Sequence, residues 1–368
     1  MAQSSDRTEL LQDLIDRAKH AGADAADALM VESTMLGASV RLGKVESTER
    51  SETQDLGLRV MIGQRQAVVS TDMSAKALDP LIERVVAMAK VAPEDPYSGL
   101  ADPDLLARSL PDLELDDGSE PGADAQVERA LMAEEAALAV KGVTNSGGAG
   151  SSFGRAAITL ATSAGFAGHY SGTNHSFSCS VLAGEGTAME RDYDYSTARH
   201  LEDLEDAAQI GRQAGEKAVR RLNPKKVKSC QVPIIYDPRV SSGLIGHFAG
   251  AISGAAVARG TSFLKDAMDK AVFAPGICIT DDPQKKRGRG SKPFDGEGAS
   301  TAPLTLIDDG RLTTWLLDSS TARQLGLKSN GRAARGTGGT PSPSTTNLTL
   351  EPGAMSPEEL MADIKSGF

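Results

Sequence analysis

This chain of 368 residues has few cysteines and no long apolar run, and its 39 basic residues are outnumbered by 50 acids; each of these features excludes some classes of function. Its three cysteines, Cys179, Cys230 and Cys278, lie far apart and form no Cys-x-x-Cys pair, which favours a reducing cytoplasm over an oxidising compartment. No run approaches the roughly 20 apolar residues of a membrane span, and the first residues contain no apolar signal core. We therefore expect a soluble, cytoplasmic protein with no membrane partner.

The charge balance argues against a nucleic-acid partner. The formal net charge is −11, whereas nucleic-acid binding draws on an excess of lysine and arginine. The basic run at 285–289, KKRGR, is the exception. We expect it to be a solvated loop, with an anion or partner contact as the alternative.

The length predicts two domains, and the pattern in residues 1–222 predicts the first of them. Helical periodicity marks four segments, and alternation marks a series of short strands between them. The predicted helices are 6–20, 75–91, 126–140 and 200–222. The predicted strands are 25–33, 38–48, 56–70 (broken by a turn at Gly63-Gln64), 156–163, 175–183 and 186–195.

Two features of this half resemble parts of known catalytic or binding sites, and each lacks a required component. The stretch TNSGGAGSS at 144–152 predicts a turn, but it lacks the Lys-Ser/Thr and following helix of a phosphate loop. His169 and His175 flank a predicted turn, where a Ser–His pair would still need an orienting carboxylate that the sequence does not supply.

Residues 223–230, rich in lysine and containing a proline, predict a linker before a second domain at 231–368. That domain opens with a predicted strand at 232–236, followed by a helix from about residue 240. Short strands then dominate, including a hairpin whose turn is Asp308-Asp309-Gly310. The predicted fold class is α+β: an N-terminal, mostly antiparallel sheet covered by helices, and a C-terminal, mainly β domain with one central glycine-rich helix.

The glycine-rich helix, VSSGLIGHFAGAISGAAVARGTSFL at 240–264, is the most unusual stretch. Asp237-Pro238 predicts its start, because aspartate caps a helix N-terminus and proline fits the first turn. Its four glycines predict a buried helix that other backbone approaches closely, since each costs roughly 1 kcal/mol relative to alanine. The only ionisable side chain near its middle is His247, which we expect to be packed or to line a pocket rather than to hold a metal.

Five motifs in the second half occur in the order of one family. They are GTSFL at 260–264, ITDDP at 279–283, PFDGEG at 293–298, LTTWLLDSSTARQLGLKSNG at 312–331 and STTNLTLEPG at 344–353. On these motifs the chain resembles the TldD/PmbA family, described as modulators of gyrase and as peptidases. The acids in ITDDP and PFDGEG are expected to form turns beside proline and glycine rather than to bind a divalent cation.

The resemblance implies a pair of related subunits, of which only one is catalytic. The TldD-like subunit carries a His-Glu-x-x-x-His helix that holds a metal, whereas the PmbA-like subunit, also called TldE, lacks it. Counting back from Gly260, the two ligand positions fall on Ile245 and Gly250, and the glutamate position falls on Gly246. None of these side chains can ligate a metal or act as a base. The chain is therefore expected to be of the PmbA/TldE type, with no catalytic residues, metal ligands or cofactor of its own.

The strand expected around Thr345–Thr349 supplies the remaining candidates. In the TldD-like subunit the equivalent strand lies beside the active-site cleft, where a peptide can add to its edge. The resemblance thus implies that Thr346, Asn347 and His247 contact a peptide or the partner. An ordinary strand whose asparagine caps a turn is the alternative. Family members continue past Phe368, so we also expect a C-terminally short domain with unpaired strand edges and lower solubility.

The expected function is that of a non-catalytic subunit in a TldD–TldE metallopeptidase complex. It would shape a chamber for small or unfolded peptides, and the partner would hold zinc or a similar metal. In relatives such complexes are associated with peptide antibiotic maturation and antitoxin degradation. Two alternatives stay open: a metal-independent peptide-binding or scaffold homodimer, and an active peptidase with an atypical site around His247.

Overall fold

The structure is a computed structural model that describes residues 2–72 and 78–368. In the first 222 residues the elements are α1 (Ala2–His20), β1 (Ala25–Arg41), β2 (Lys44–Ile62), β3 (Arg65–Asp72), α2 (Asp79–Val91), α3 (Ala123–Leu138), β4 (Val143–Thr162), β5 (Ala167–Ala183), β6 (Glu190–Ala198) and α4 (Ala207–Arg220). The remainder contains α5 (Pro238–Ala251), α6 (Gly254–Ala258), β7 (Ile279–Asp281), β8 (Leu304–Asp308), β9 (Arg311–Leu312), α7 (Ser319–Leu325), β10 (Ala333–Ala334), β11 (Ser342–Pro343), β12 (Leu348–Leu350) and α8 (Pro357–Ala362).

A large antiparallel sheet is the framework of the molecule. Within the described residues it has six strands in the order β3-β2-β1-β4-β5-β6, and every neighbouring pair is antiparallel. Helices α1 and α2 pack against one end of the sheet, and α3 and α4 pack against the other. This mixed α and β arrangement confirms the predicted fold class.

Strand alternation decides what each face of the sheet contacts. Successive side chains of a strand point to opposite faces. On β1, Ala28 and Met30 join the core beneath α1 and α2, whereas Leu29 packs with Phe294 of the second half. The sheet therefore separates a helix-covered face from a face that receives the C-terminal half of the chain.

The first hairpin differs from the prediction. β1 runs without a break from Ala25 to Arg41, so the expected strands at 25–33 and 38–48 are not separate; the chain reverses at Leu42-Gly43, and residues 44–48 begin β2. Both turn residues have positive φ, 51° and 73°, as a two-residue hairpin turn requires. The sequence did not reveal this turn because leucine is not a typical residue in that conformation.

The glycine-rich stretch at 144–152 is also not a turn. It is the first half of β4, paired with β1 on one side and β5 on the other. Ser146 and Ser151 are buried and donate hydrogen bonds to Glu134 and Gln126 of α3. The helix α2 begins at Asp79, and residues 75–77 of its prediction lie outside the described residues.

Small sheets and short helices make up the second half. Within the described residues one sheet has the order β12-β7-β8-β9, and β10 pairs with β11. The hairpin turn is confirmed, with positive φ at Asp309 and Gly310. The expected strand at 312–317 is shorter, because β9 ends at Leu312.

The expected strand at 232–236 is wrong, since these residues pair with no strand among the described residues and Ile234 is 57% exposed. The glycine-rich helix starts at Pro238, as Asp237-Pro238 predicts, but it ends at Ala251, after which α6 is a separate element. The division into domains at 1–222 and 231–368 with a linker at 223–230 stays a prediction.

Contacts between the two halves are extensive. The ring of Phe294 packs edge-on against Phe166 and Tyr170, at centroid distances of 4.9 and 5.2 Å. In the basic run, Lys286 and Arg287 pair with Glu114, so part of this loop contacts the first half rather than only solvent. Across the described residues, no helix has the length and apolar composition needed to cross a membrane.

Candidate functional site

The helix α5 is held at both ends by local interactions. The Asp237 carboxylate accepts a hydrogen bond of 2.9 Å from the backbone N–H of Arg239, and Pro238 occupies the first turn, as predicted. At the other end, the hydroxyl of Ser262, from the GTSFL motif, donates to the carbonyl of Ala251. This motif therefore fixes the exit of the helix.

Most of α5 is not buried, which corrects the expectation for its glycines. Phe248 and Ala251 point into the core, but Val240 and Leu244 are 58% and 49% exposed. A Cβ atom added at Gly243, Gly246 or Gly250 would meet nothing within 4 Å. No backbone approaches these three glycines among the described residues, so close packing does not explain them. The expectation is confirmed for the fourth, Gly254 at the start of α6, where an added Cβ would lie 2.7 Å from the carbonyl oxygen of Leu316.

The three positions implied by the family register have different surroundings. Ile245 packs at the edge of the second core cluster, whereas Gly246 and Gly250 are exposed. None of the three side chains contains a metal-ligating atom or a titratable group. His247 lies between Gly246 and Gly250 in the sequence and is exposed, so it is not packed in the core, and its place in a pocket stays a prediction.

The donor set does not fit a catalytic metal. A catalytic zinc site needs three protein ligands such as histidine or carboxylate. Among residues 2–72 and 78–368, no group of three or more His, Cys, Asp or Glu side chains could hold a metal ion.

The remaining candidates, Thr346 and Asn347, lie immediately before the edge strand β12. The backbone N–H and the hydroxyl of Thr346 donate to the two carboxylate oxygens of Asp281, at 2.7 and 2.9 Å. The Asn347 amide donates to the carbonyl of Asp282 and accepts from the N–H of Gly290, at 2.6 and 2.8 Å. Both side chains thus hold β12 against neighbouring segments, and their contact with a peptide or partner stays a prediction.

A buried ion pair joins the same network. The guanidinium of Arg332 and the carboxylate of Asp281 are both fully buried, with a nitrogen–oxygen distance of 2.5 Å. Arg332 also donates to the carbonyls of Ala302 and Asn330, at 2.7 and 3.0 Å. Each charge is therefore paired and hydrogen-bonded, the condition under which a buried ion pair is tolerated.

The acids of the PFDGEG motif are also buried. Asp295 is 1% exposed and accepts hydrogen bonds from the backbone N–H groups of Glu297, Ala299 and Ala333. Glu297 is 3% exposed and accepts from the N–H and the hydroxyl of Ser319, at the start of α7. Burial raises the pKa of Glu297 to about 7, and the nearby Asp295 adds to the increase.

These contacts show what the sequence motifs build. ITDDP, PFDGEG, the end of the 312–331 motif and STTN converge on one buried polar network around Asp281, Arg332 and Asp295. Asp295 does form a turn, as expected, but Asp281 lies in β7, and the full burial of both acids was missed. The available signal was Arg332, a strong base that directly follows the 312–331 motif.

His169 and His175 do not flank a turn, because both lie within β5. His175 contacts Asp117 through its Nε2 atom at 2.9 Å, and the Ser119 hydroxyl lies 3.4 Å from the same nitrogen. A nucleophile and an orienting acid must contact opposite ring nitrogens, so this is not a catalytic triad. Burial lowers the pKa of His175, which favours its neutral form.

Comparison with known proteins gives matches along most of the chain. Three consecutive family models match, described as PmbA/TldA metallopeptidase domain 1 at residues 26–89, the central domain at 116–222 and the C-terminal domain at 229–368. The chain is 36% identical to the metalloprotease PmbA of Escherichia coli O157:H7 over 313 residues, which is 84% of this chain and 70% of that protein. It is 35% identical to a PmbA homologue of Haemophilus influenzae over 334 residues, covering 90% and 74% of the two chains.

Solved structures show the same fold. A candidate modulator of DNA gyrase from Bacteroides thetaiotaomicron aligns with a TM-score of 0.89 at 26% identity, covering 98% of this chain and 81% of that one. TldE from Thermococcus kodakarensis aligns with a TM-score of 0.84 at 20% identity, covering 96% and 80%. The matched domains, their order and the identity to PmbA together show that this chain belongs to the PmbA/TldD metallopeptidase family.

Proposed function

We propose that this chain is a PmbA/TldE-type subunit that contributes no catalytic groups to a heteromeric metallopeptidase. A TldD-like paralogue supplies the His-Glu-x-x-x-His helix and the zinc or similar metal. The present chain completes the chamber in which small or unfolded peptides are cleaved. Its three cysteines are free thiols, which supports a reducing cytoplasm as the place where the complex works.

One observation carries this proposal. Ile245, Gly246 and Gly250 lie on a well-formed helix at the positions where the family register expects two ligands and a base. The motif that fixes the helix exit, GTSFL, is retained and makes its hydrogen bonds. The architecture of a catalytic helix is thus kept, while the side chains that perform metal chemistry are replaced by apolar ones.

The exposed face of α5 supports a partner contact. Val240, Leu244 and His247 follow each other at helical spacing, and the two apolar side chains are about half exposed. Phe263, in the GTSFL segment that follows α6, is 84% exposed. Exposed apolar side chains along one face of a helix are a surface that a partner protein can cover.

The edge of β12 supports peptide contact. This strand is the outermost of its sheet and pairs only with β7 among the described residues. Because backbone groups alternate sides along a strand, those of Leu348 and Leu350 face the unpaired edge. Thr346 and Asn347 anchor the strand from within, so they would keep this edge in place for an added peptide strand.

Co-expression with a His-Glu-x-x-x-His paralogue tests the proposal. We expect a stable complex on size exclusion and cleavage of an unfolded peptide only when both chains are present. The matched control replaces the paralogue by one whose glutamate is changed to glutamine, which should preserve the complex and abolish cleavage. If no complex forms and the chain alone elutes as a peptide-binding dimer, the scaffold alternative replaces this proposal. Cleavage by the chain alone would instead favour an atypical site.

A further inference from the structure

The basic run KKRGR divides into cations that are paired with acids and cations that are not. Lys286 and Arg287 pair with acids of the first half, Glu114 among them. Lys285 and Arg289 are exposed, and neither has a carboxylate within 4 Å among the residues that the structure describes. The chain has a net charge of −11, so these two cations are unpaired despite an overall excess of acids.

A third cation without an acid lies against the same run. The guanidinium of Arg199, just after β6, donates to the backbone carbonyls of Gly288 and Arg289, at 3.4 and 2.6 Å. It pairs with no carboxylate within residues 2–72 and 78–368. Burial lowers the pKa of Arg199, and repulsion from the charge of Arg289 lowers it further. A bound anion would relieve this repulsion between neighbouring like charges.

These cations lie at one end of the free edge of β12. Gly290, the neighbour of Arg289 in the chain, packs so closely on Thr346 that an added Cβ would lie 2.3 Å from its carbonyl oxygen. Beyond this contact, the backbone groups of Leu348 and Leu350 face the unpaired edge. The basic run is therefore beside the amino end of an edge to which another strand can add.

The strand arrangement gives the added strand a direction. Every neighbouring pair in the sheet β12-β7-β8-β9 is antiparallel, and antiparallel pairing is slightly more stable than parallel pairing. A peptide that adds in the same way has its C-terminal end beside the basic run. Its N-terminal end lies near Glu351, an exposed acid directly after β12. The charges along this edge thus favour acids at the C-terminal end of the peptide only.

We propose that the peptide bound by β12 is acidic towards its C-terminal end, and that Lys285 and Arg289 bind its carboxylates while Arg199 adds to the positive field. This inference rests on the proposed role of β12 in peptide binding and adds the class of peptide that it selects. Exposed ion pairs are individually weak and sensitive to salt. The cations therefore set a preference among peptides, and backbone pairing supplies the contact that all of them share.

The test measures the affinity of labelled peptides by fluorescence anisotropy. The probes are TVTVSEE, its neutral counterpart TVTVSQQ and the reversed order EESVTVT, each acetylated and amidated so that only side chains carry charge. We expect TVTVSEE to bind at least about 5-fold more tightly than either of the others in dilute buffer, and the difference to vanish in concentrated salt. A copy of TVTVSEE with methyl groups on alternate backbone nitrogens should not bind, because it cannot pair with a strand edge.

Two variants locate the preference. Lys285→Gln combined with Arg289→Gln should equalise the affinities for TVTVSEE and TVTVSQQ and leave that for TVTVSQQ unchanged. Lys141→Gln removes an exposed cation between α3 and β4 and should keep the preference. Circular dichroism checks that each variant is folded.

The outcomes separate this inference from the proposed function. Equal binding of TVTVSEE and TVTVSQQ, tighter binding of EESVTVT, or a preference retained in the double variant would overturn the inference and leave peptide binding at β12 intact. If no peptide bound, or if the methylated copy bound as well as its parent, peptide addition to β12 would itself be refuted, and the inference with it.

Discussion

Removing the carboxylate of Asp281 should be among the most damaging single changes in the second half of the chain. In Asp281→Ala the guanidinium of Arg332 stays fully buried and keeps only its backbone carbonyl partners. Breaking a buried ion pair by removing one partner costs about 3–5 kcal/mol, because the remaining charge is uncompensated. Thr346 also loses the acceptor of its N–H and of its hydroxyl. Against a typical total of about 5–15 kcal/mol, such a loss is large.

Urea unfolding followed by circular dichroism measures this effect. Glu120→Ala is the matched control, because it breaks an ion pair of 2.9 Å with Arg50 in which both side chains are about half exposed. Such a surface pair contributes only about 0–1 kcal/mol. Asp281→Asn retains an acceptor and should fall between the two.

Hydrogen exchange adds a local measure. The amides of β12 and of Thr346 should exchange faster in Asp281→Ala than in the wild type, since the acid anchors the start of that strand. If Asp281→Ala were no more destabilising than Glu120→Ala, the buried network would not be the stabilising centre of the second half. Unchanged exchange in β12 would separately refute the anchoring role.

Three further predictions concern burial, close packing and the partner surface. Burial raises the pKa of Glu297 to about 7, above the 4.5 of an ordinary glutamate, so the folded state binds the proton more tightly than the unfolded state; its free energy of unfolding should therefore fall by on the order of 2–3 kcal/mol as pH rises from about 4.5 to 7.5. Urea unfolding of Glu297→Gln across this range should lack that fall, and a pH slope identical to that of the wild type would contradict the prediction. A Cβ at Gly57 would lie 2.1 Å from the carbonyl oxygen of Thr337, so Gly57→Ala should destabilise the fold by about 1–3 kcal/mol. A Cβ at Gly243 would meet nothing within 4 Å, so Gly243→Ala should stabilise it by up to about 1 kcal/mol; thermal unfolding measures both. Leu244→Asp should abolish co-purification with the paralogue and leave the melting temperature unchanged. Met132, on α3, is similarly exposed, and Met132→Asp should leave both co-purification and the melting temperature unchanged. Retained co-purification of the Leu244 variant would exclude α5 as the partner surface.

Local signals in the sequence were sufficient for several elements. Asp237-Pro238 predicted the start of α5, and Asp309-Gly310 predicted the β8–β9 turn, because these residue types act through their own backbone geometry. The turn at Leu42-Gly43 was missed because leucine is not a residue type that indicates a turn. Its first residue adopts a conformation that the surrounding strands impose and that leucine does not favour.

The buried polar network could not be predicted from spacing. Asp281 and Arg332 are 51 positions apart, and only the tertiary fold brings them together. In a sequence, acids beside glycine and proline indicate exposed turn residues, whereas Asp295 forms a turn that is buried. The glycines of α5 led to the opposite error: they predicted close packing, whereas they lie on an open surface.

Zinc content, measured by elemental mass spectrometry, is the most direct test of the claim that this chain relies on another for its chemistry. The chain and its paralogue are purified separately, incubated with zinc and desalted under the same conditions. The account predicts close to one zinc per paralogue and far less than one per copy of this chain, because Ile245, Gly246 and Gly250 offer no ligand. Near-stoichiometric zinc on this chain alone, lost when His247 is changed to alanine, would contradict the account.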